Sequence, residues 1–524
     1  MAVLERGGNA FDAVCAAGFV LQVVEPHLNG PGGDLPVVFW SAEAGKPLVL
    51  CAQGVSPAAA TIDEYRTRGL DHVPGTGLLS ACVPGSFGGW LLLLEQFGTW
   101  PLADVLEYAI GYAEHGYPVI PGITATIERV EPLLRGWPGS AELYLPAPRP
   151  GSTFRNPALA ATWRRVLAES GGTVEGARRA YYEGFVADEI DRFSRAGGGL
   201  LTGEDMARWR ATLEAPVTLD YRGLTVCKTD AWGQGPSALQ QLALVEGYDI
   251  SSLGEAELVH VLTEAAKLAF ADRDASYGDG ADISELLSPA YTASRRLLIG
   301  DDASAELRPG RGRLPAFAAS STVELGAGEP TRGDTVHIDV ADRFGNLISA
   351  TPSGGWLQSS PTIPSLGWPL GSRAQMFWLE EGLPSSLAPG KRPRTTLSPG
   401  LVLRDGEPWL AYGTPGGDQQ EQWALHAFIR HVDRGLDLQA GIDAPEWHTD
   451  HLISSFDPRV AAPRSLSVES RFGDQVIDDL RRRGHEVTVT GAWELGRVSA
   501  VKREDGQIVA AANPRGMQGY AACR

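Results

Sequence analysis

The sequence predicts a layered α+β fold. Three observations carry the prediction. Several long stretches place apolar residues three and four apart, as helices do. Other stretches alternate strictly and come in pairs around short turns, as antiparallel hairpins do. No internal repeat of about 20–50 residues organises the chain, which sets solenoids and propellers aside.

Taken in order, the chain opens inside a helical pattern, Met1-Ala-Val-Leu-Glu-Arg-Gly-Gly-Asn9, as though its start were late or truncated. Residues 9–25 are apolar nearly all round, which predicts a buried helix stopped by Pro26. Asn29-Gly-Pro-Gly-Gly-Asp34 follows, where glycines permit positive φ or close backbone approach. It lacks the Lys-Ser/Thr ending of a phosphate loop and follows a helix, so phosphate binding is set aside. Leu35 to Trp40 predicts a strand. Residues 101–115 predict an amphipathic helix with Leu102, Val105, Leu106, Ala109 and Ile110 on one face and Gly116 past its end. Residues 216–226 alternate around a turn at Arg222-Gly223, and 236–247 and 257–275 predict two more helices. Gly233-Gln-Gly-Pro-Ser237 reads as a helix entry. Residues 301–334 keep neither period and predict an exposed, mobile loop, a length that usually has a functional reason. Strands then dominate: 335–341 and 347–353 about a turn at 342–346, and a pair within 399–413 around Arg404-Asp-Gly406. Helices at about 419–434, 436–443 and 472–483 precede closing strands at 486–490, 499–501 and 507–511.

Composition narrows the function. Of 524 residues, 43% are hydrophobic and 21% charged, so wholesale disorder is excluded and a sizeable core can be buried. The formal net charge of −19 argues against nucleic acid and anionic membrane surfaces as partners. No apolar run approaches the roughly 20 residues of a membrane span, and no signal sequence opens the chain, so a cytoplasmic protein is the default expectation. The five cysteines are scattered, without CxxC or zinc spacing, which argues against a disulfide framework or a metal knuckle. Cys15 and Cys82 lie in apolar runs and read as buried small hydrophobes.

The hairpin after the long loop carries the chemistry. Pairing its strands symmetrically about 342–346 sets Ala341 against Leu347, Asp339 against Ser349, His337 against Thr351 and Thr335 against Ser353. Val336, Ile338 and Val340 then share one face, and Thr335, His337, Thr351 and Ser353 the other. Two readings compete. Threonine is a good strand former, and the polar face meets solvent. Alternatively the chain is cut before Thr335, and the new α-amino group acts as general base for its own hydroxyl. A terminal amine has a pKa of about 7.7–8.0, so a useful fraction is neutral near pH 7.

Gly7-Gly-Asn-Ala-Phe-Asp-Ala13, Val24-Glu-Pro-His27 with Gly30-Pro-Gly-Gly33, Val83-Pro-Gly-Ser86, Asp220-Tyr-Arg-Gly223, Asp334-Thr-Val-His337, Pro389-Gly-Lys-Arg-Pro393, Thr414-Pro-Gly-Gly417 and Asn513-Pro-Arg515 occur in the order seen in γ-glutamyltransferases. The chain resembles that family over nearly its whole length. The resemblance implies an N-terminal-nucleophile hydrolase with a four-layer αββα sandwich, made as a proenzyme that cuts itself between Asp334 and Thr335. It further implies a large chain 1–334 and a small catalytic chain 335–524, together one compact unit and a heterodimer, with higher assembly open. Thr335 becomes the nucleophile. Ser353 matches a threonine that hydrogen-bonds the nucleophile, and Gly416 and Gly417 match the glycine pair whose N–H groups form the oxyanion hole. Thr395 and Thr396 match two serines that contact the donor's carboxylate. No metal or other cofactor is implied.

The departures from the family pattern concern the acyl donor. Gln53 stands where an arginine binds the γ-glutamyl head, and Met376 where an aspartate holds its ammonium. Arg373 adds a cation nearby or serves a structural salt bridge. Trp356, Trp368 and Trp378 belong to the core or line an apolar acyl pocket. The expectation is a γ-glutamyltransferase-like amidohydrolase or acyltransferase with a non-standard donor, acting on a small amide or peptide-like substrate. The alternatives are hydrolysis of C–C bonds or small oxoacid amides on the same scaffold, and an uncleaved, non-catalytic homologue. Trp447-His-Thr-Asp-His451 reads as a polar loop ahead of a metal site, and Asp272 and Asp274 read as fold-stabilising helix residues.

Overall fold

The computed structural model describes residues 1–319, 334–515 and 519–523. The described residues form two compact units, each drawing on both sides of Thr335: 1–214 with 334–381 and 386–393, and 215–319 with 382–385, 394–515 and 519–523.

The first unit is built on an antiparallel sheet in the order Thr212–Glu214, Lys46–Ala52, Leu35–Ser41, Leu347–Ala350, Ile338–Ala341. Its hairpin register is the one the symmetric turn predicts. Ala341 pairs with Leu347 and Asp339 with Ser349. Thr335 and Ser353 form a bridge beyond the regular strands. Asp342 explains the turn: its Oδ1 accepts from the Phe344 and Asn346 backbone N–H groups, and its Oδ2 from the Asn346 side chain. The same Oδ2 accepts from Ala10 N at 2.8 Å, so the turn docks on the first turn of the Ala10–Val24 helix. That helix begins at a capping box of Asn9 and Asp12 and is buried along most of its length. Gly18 lets it approach Trp90, since a Cβ there would lie 2.2 Å from the indole.

The helical side of this unit holds an aromatic core that no single stretch of sequence reveals. Phe87, Trp163 and Tyr181 stack on one another (Phe87–Trp163 5.2 Å, Phe87–Tyr181 4.4 Å, Trp163–Tyr181 6.4 Å), and Tyr181 stacks on Trp368 (6.1 Å). These rings come from the Ser86–Phe97, Pro157–Glu169 and Val174–Tyr182 helices and from the short strand Trp368–Pro369. The Leu102–His115 helix buries the face that its spacing predicts.

The second unit has a six-stranded antiparallel sheet in the order Gln507–Ala512, Ser499–Glu504, Glu407–Gly413, Gly400–Arg404, Leu224–Lys228, Val217–Tyr221. The predicted turn between the central pair holds Asp405 at φ +53° and Gly406 at φ +80°, the left-handed pair a two-residue hairpin needs. The Gly235–Val245, Glu255–Ser276 and Gln420–Val432 helices contribute to its core. The segment expected as a free loop is tied down where it is described. Ala303 N donates to Arg483 O, Gly310 N donates to Asp272, and Ala318–Ala319 pair in parallel with Val460–Ala461. The rest of that expected loop, 320–333, lies outside the described residues. Among the described residues no helix is long and apolar enough to cross a membrane.

Candidate active site

Thr335 is buried at the open end of the hairpin. Its Oγ1 donates to Ser353 Oγ at 3.2 Å, and its N–H donates to Asp334 Oδ1 at 2.9 Å. Ser353 Oγ in turn donates to the Asp334 carbonyl at 3.1 Å. His337 Nδ1 lies 2.8 Å from Thr351 Oγ1 and its Nε2 3.0 Å from Asp339. Thr351 and Ser353 are buried with Thr335, so this end of the polar face does not meet solvent.

The glycine-rich segment before the Leu35–Ser41 strand explains how Ser353 is held. Gly30, Gly32 and Gly33 have no positive φ; they are glycines because other backbone runs against them. A Cβ would lie 2.3 Å from Gly355 O at Gly30, 2.2 Å from Pro369 O at Gly32 and 2.1 Å from Ser353 O at Gly33. The next residue completes the clamp: Asp34 N donates to Ser353 O at 2.8 Å and Ser353 N to Asp34 O at 3.1 Å.

Asp34 links this centre to the residues expected at the donor. Arg373 grips its carboxylate with Nε and Nη2, both at 2.9 Å, and both side chains are buried. Of the two roles open to Arg373, the salt bridge is the one its geometry displays. Its remaining Nη1 faces Met376 Sδ at 3.8 Å. Burial pushes the Asp34 carboxyl above its ordinary value, while Arg373 and the Gln53 amide pull it back. Gln53 is itself buried, and its carbonyl accepts from Trp209 Nε1 at 3.3 Å. Gln53, Arg373 and Met376 therefore gather around Asp34. Trp356 and Trp368 are buried, and the Arg373 guanidinium sits 5.8 Å from the Trp356 ring centroid.

In the second unit, Gly416 (φ +131°) and Gly417 (φ +58°) form a turn leading into the Gln420–Val432 helix. A Cβ on Gly416 would lie 2.3 Å from the Trp423 ring. The turn is pinned by Asp418, which accepts from Arg273 Nη1 (2.6 Å), Ser455 N (2.8 Å) and Ser455 Oγ (2.6 Å), and by Gln234 Nε2, which donates to Gly417 O (3.1 Å). Asp274 pairs with Arg273 and accepts from Ile453 N, which is the fold-stabilising role expected of it. Thr395 and Thr396 are fully buried; Thr395 N donates to Trp232 O at 2.8 Å, and its Oγ1 accepts from Leu397 N. Burial and neighbouring cations lower Arg394 to about 10 and Arg459 to about 9 beside this carboxylate cluster.

Comparison with known proteins decides the family. The gamma-glutamyltranspeptidase family model matches residues 1–523. The chain belongs to the gamma-glutamyltranspeptidase family. It is 33% identical to the glutathione hydrolase-like YwrD proenzyme of Bacillus subtilis (strain 168), over 98% of this chain and 94% of that one. It is also 33% identical to the oxamate amidohydrolase proenzyme of Klebsiella pneumoniae subsp. pneumoniae, with the same coverage of both chains. The solved structure of LmbA2991HD is 52% identical, with a TM-score of 0.95 over 100% of this chain and 96% of that one. Like other gamma-glutamyltranspeptidases, the chain is an enzyme of the N-terminal-nucleophile type with the α+β fold of that class.

Two features of this family member escape sequence reading. Asp34 and Arg373 are 339 residues apart, and no local pattern pairs them. Trp356 Nε1 donates to Leu28 O and to Asp334 O, both at 2.7 Å; the run Ser353-Gly-Gly-Trp356 is the one signal in the sequence that points to it. For a metal, His448, Asp450 and His451 do not converge among the described residues; the set that does is His260, Glu264 and His485. Its donor atoms are engaged with one another and with Gly300 O, and Lys267 and Arg308 pair with Glu264, a cationic surrounding that opposes a metal ion.

Proposed function

We propose that this chain is an amidohydrolase or acyltransferase made as a precursor and cut between Asp334 and Thr335 into chains 1–334 and 335–524, which stay together. Thr335 Oγ1 attacks the amide carbonyl of the donor, and its freed α-amino group takes the hydroxyl proton and returns it to the leaving amine. Ser353 orients the nucleophile. Gly416 and Gly417 supply N–H donors to the tetrahedral intermediate, each worth about 3–4 kcal/mol at the transition state. Thr395 and Thr396 face the polar end of the donor's acyl group. Water or an amine then resolves the ester. The observation that carries this reading is the buried Thr335 hydroxyl, 3.2 Å from Ser353 Oγ, directly after the carbonyl at which the chain would be cut.

The donor is not a zwitterionic γ-glutamyl group. Gln53 and Met376 stand where the family's two charged anchors act, and Arg373 is spent on Asp34. Two lost charge-assisted contacts, at about 1.5–3 kcal/mol each, correspond to roughly a 10²–10⁴-fold loss for such a donor. The oxamate amidohydrolase relative supports a second reading, a small oxoacid amide as substrate. The test is a donor panel on the processed protein: γ-glutamyl anilides, uncharged aliphatic acyl anilides, and oxamate. The proposal expects an uncharged acyl or oxamate donor to exceed γ-glutamyl in kcat/KM by at least about 10²-fold. A γ-glutamyl donor turned over fastest would overturn the donor assignment.

A further inference from the structure

The carbonyl of Asp334 is held as a reacting group is held. It accepts from Ser353 Oγ at 3.1 Å and from Trp356 Nε1 at 2.7 Å. Its own chain neighbour, Thr335, carries the hydroxyl that would attack it, and that hydroxyl donates to the same Ser353. Trp356 is 2% exposed, so its N–H acts in a dry environment, where a donor aimed at developing charge is worth most. The backbone that delivers both donors is built for the purpose. Gly354 (φ +79°) and Gly355 (φ +65°) turn through the left-handed region, and a Cβ on Gly355 would lie 2.8 Å from Gly33 N. The short left-handed turn sets the serine hydroxyl and the indole three residues on against one oxygen.

We propose that Trp356 and Ser353 form the oxyanion site for self-cleavage, separate from the glycine pair assigned to substrate turnover. This rests on the self-cleavage reading above. In the step, Thr335 Oγ1 bonds to the Asp334 carbonyl carbon, and the C=O pair moves onto oxygen. The Trp356 N–H stabilises that oxygen. The Thr335 hydroxyl proton passes to Ser353 Oγ as the attack proceeds, and the Ser353 proton then moves to the charged Asp334 oxygen, so the adduct ends neutral. Collapse restores the carbonyl, breaks the C–N bond and returns the proton to the Thr335 nitrogen, leaving an ester between Asp334 and Thr335. Water then splits the ester into the Asp334 carboxyl and the Thr335 hydroxyl. Leu28 O shares the indole N–H, also at 2.7 Å, and can keep it once Asp334 has left.

The test follows conversion of freshly synthesised full-length chain into two fragments, by denaturing electrophoresis and mass spectrometry. Trp356→Phe keeps an aromatic ring and removes the donor. Its cleavage rate is expected to fall about 10²-fold, the lower end for one oxyanion donor because the N–H is shared. Added hydroxylamine, which splits esters, should not restore the rate, because the slowed step is ester formation. Ser353→Ala leaves the indole packing in place and should also slow the cut. Melting of Trp356→Phe in a Thr335→Ala background reports folding without cleavage. A wild-type chain that cuts, beside a Trp356→Phe chain that cuts within threefold as fast, overturns this inference alone. Rescue by hydroxylamine, or unaltered cleavage of Ser353→Ala, also contradicts it. A wild-type chain that never cuts overturns the self-cleavage reading, and this inference falls with it.

Discussion

Replacing Arg373 with methionine separates a structural arginine from a substrate-binding one. The guanidinium makes two hydrogen bonds of 2.9 Å to Asp34, and each side chain of the pair is only 5% exposed. Removing one partner of such a buried pair leaves a charge without its counterion, which costs about 3–5 kcal/mol. Burial already raises the Asp34 carboxyl, and losing Arg373 raises it further, so the carboxyl takes up a proton and the loss stays within that range. At about 2 °C per kcal/mol for a unit of this size, the melting temperature should fall by roughly 6–10 °C. Asp34→Asn together with Arg373→Met removes both charges and should recover at least half of the loss. The assay is urea and thermal unfolding in a Thr335→Ala background, so that every sample is an intact chain. A loss below about 1 kcal/mol for Arg373→Met, joined to a raised KM in the processed enzyme, would refute the reasoning: the guanidinium would then serve the donor, not Asp34.

Two further outcomes follow from the structure. Gly416→Ala forces a Cβ to 2.3 Å from the Trp423 ring at φ +131°, whereas Gly417→Ala meets Phe456 only at 3.1 Å. Gly416→Ala should therefore lower kcat about 10²–10³-fold and exceed the effect of Gly417→Ala; equal, small effects in steady-state kinetics would count against an oxyanion role. His485 and His451 are held neutral, pushed down to about 2 and about 3 by burial and then by Lys267, with His260, Arg483 and Arg308 adding to it. Folded values below the unfolded one mean that the unfolded chain binds the extra proton first. Stability is then full above about pH 6.5 and falls as the pH drops towards 3. At pH 4.5 the two imidazoles together cost on the order of 5 kcal/mol. Urea midpoints at pH 7 and 4.5 should show His485→Gln losing less than wild type; equal losses would contradict buried neutral imidazoles.

Much of the hairpin was legible because its information is local. A five-residue turn with strict alternation on both sides allows one symmetric register, and Asp342 holds that turn by bonding within 342–346. The Asp405-Gly406 turn and the Leu102–His115 helix are local in the same sense. Contacts far apart in sequence were not legible. The Gly30–Gly33 segment looks like a flexible loop until Ser353, Gly355 and Pro369 are seen against it. The stack of Phe87, Trp163 and Tyr181 joins three helices far apart in the sequence, and no local pattern says which rings meet. Of the candidate site, the placement of Thr335 beside Ser353 followed from register and their roles from the family resemblance, while Asp34 as the partner of Arg373, and Trp356 on the Asp334 carbonyl, needed the folded chain.

The central claim is that Thr335 becomes a chain terminus and then the attacking group. Mass spectrometry of purified wild-type and Thr335→Ala protein, paired with amide turnover of both, tests it most directly. The account predicts two wild-type fragments, one ending at Asp334 and one beginning at Thr335, with turnover, and a single intact, inactive Thr335→Ala chain. An intact wild-type chain that turns over amides, or a Thr335→Ala chain that does so, would contradict it.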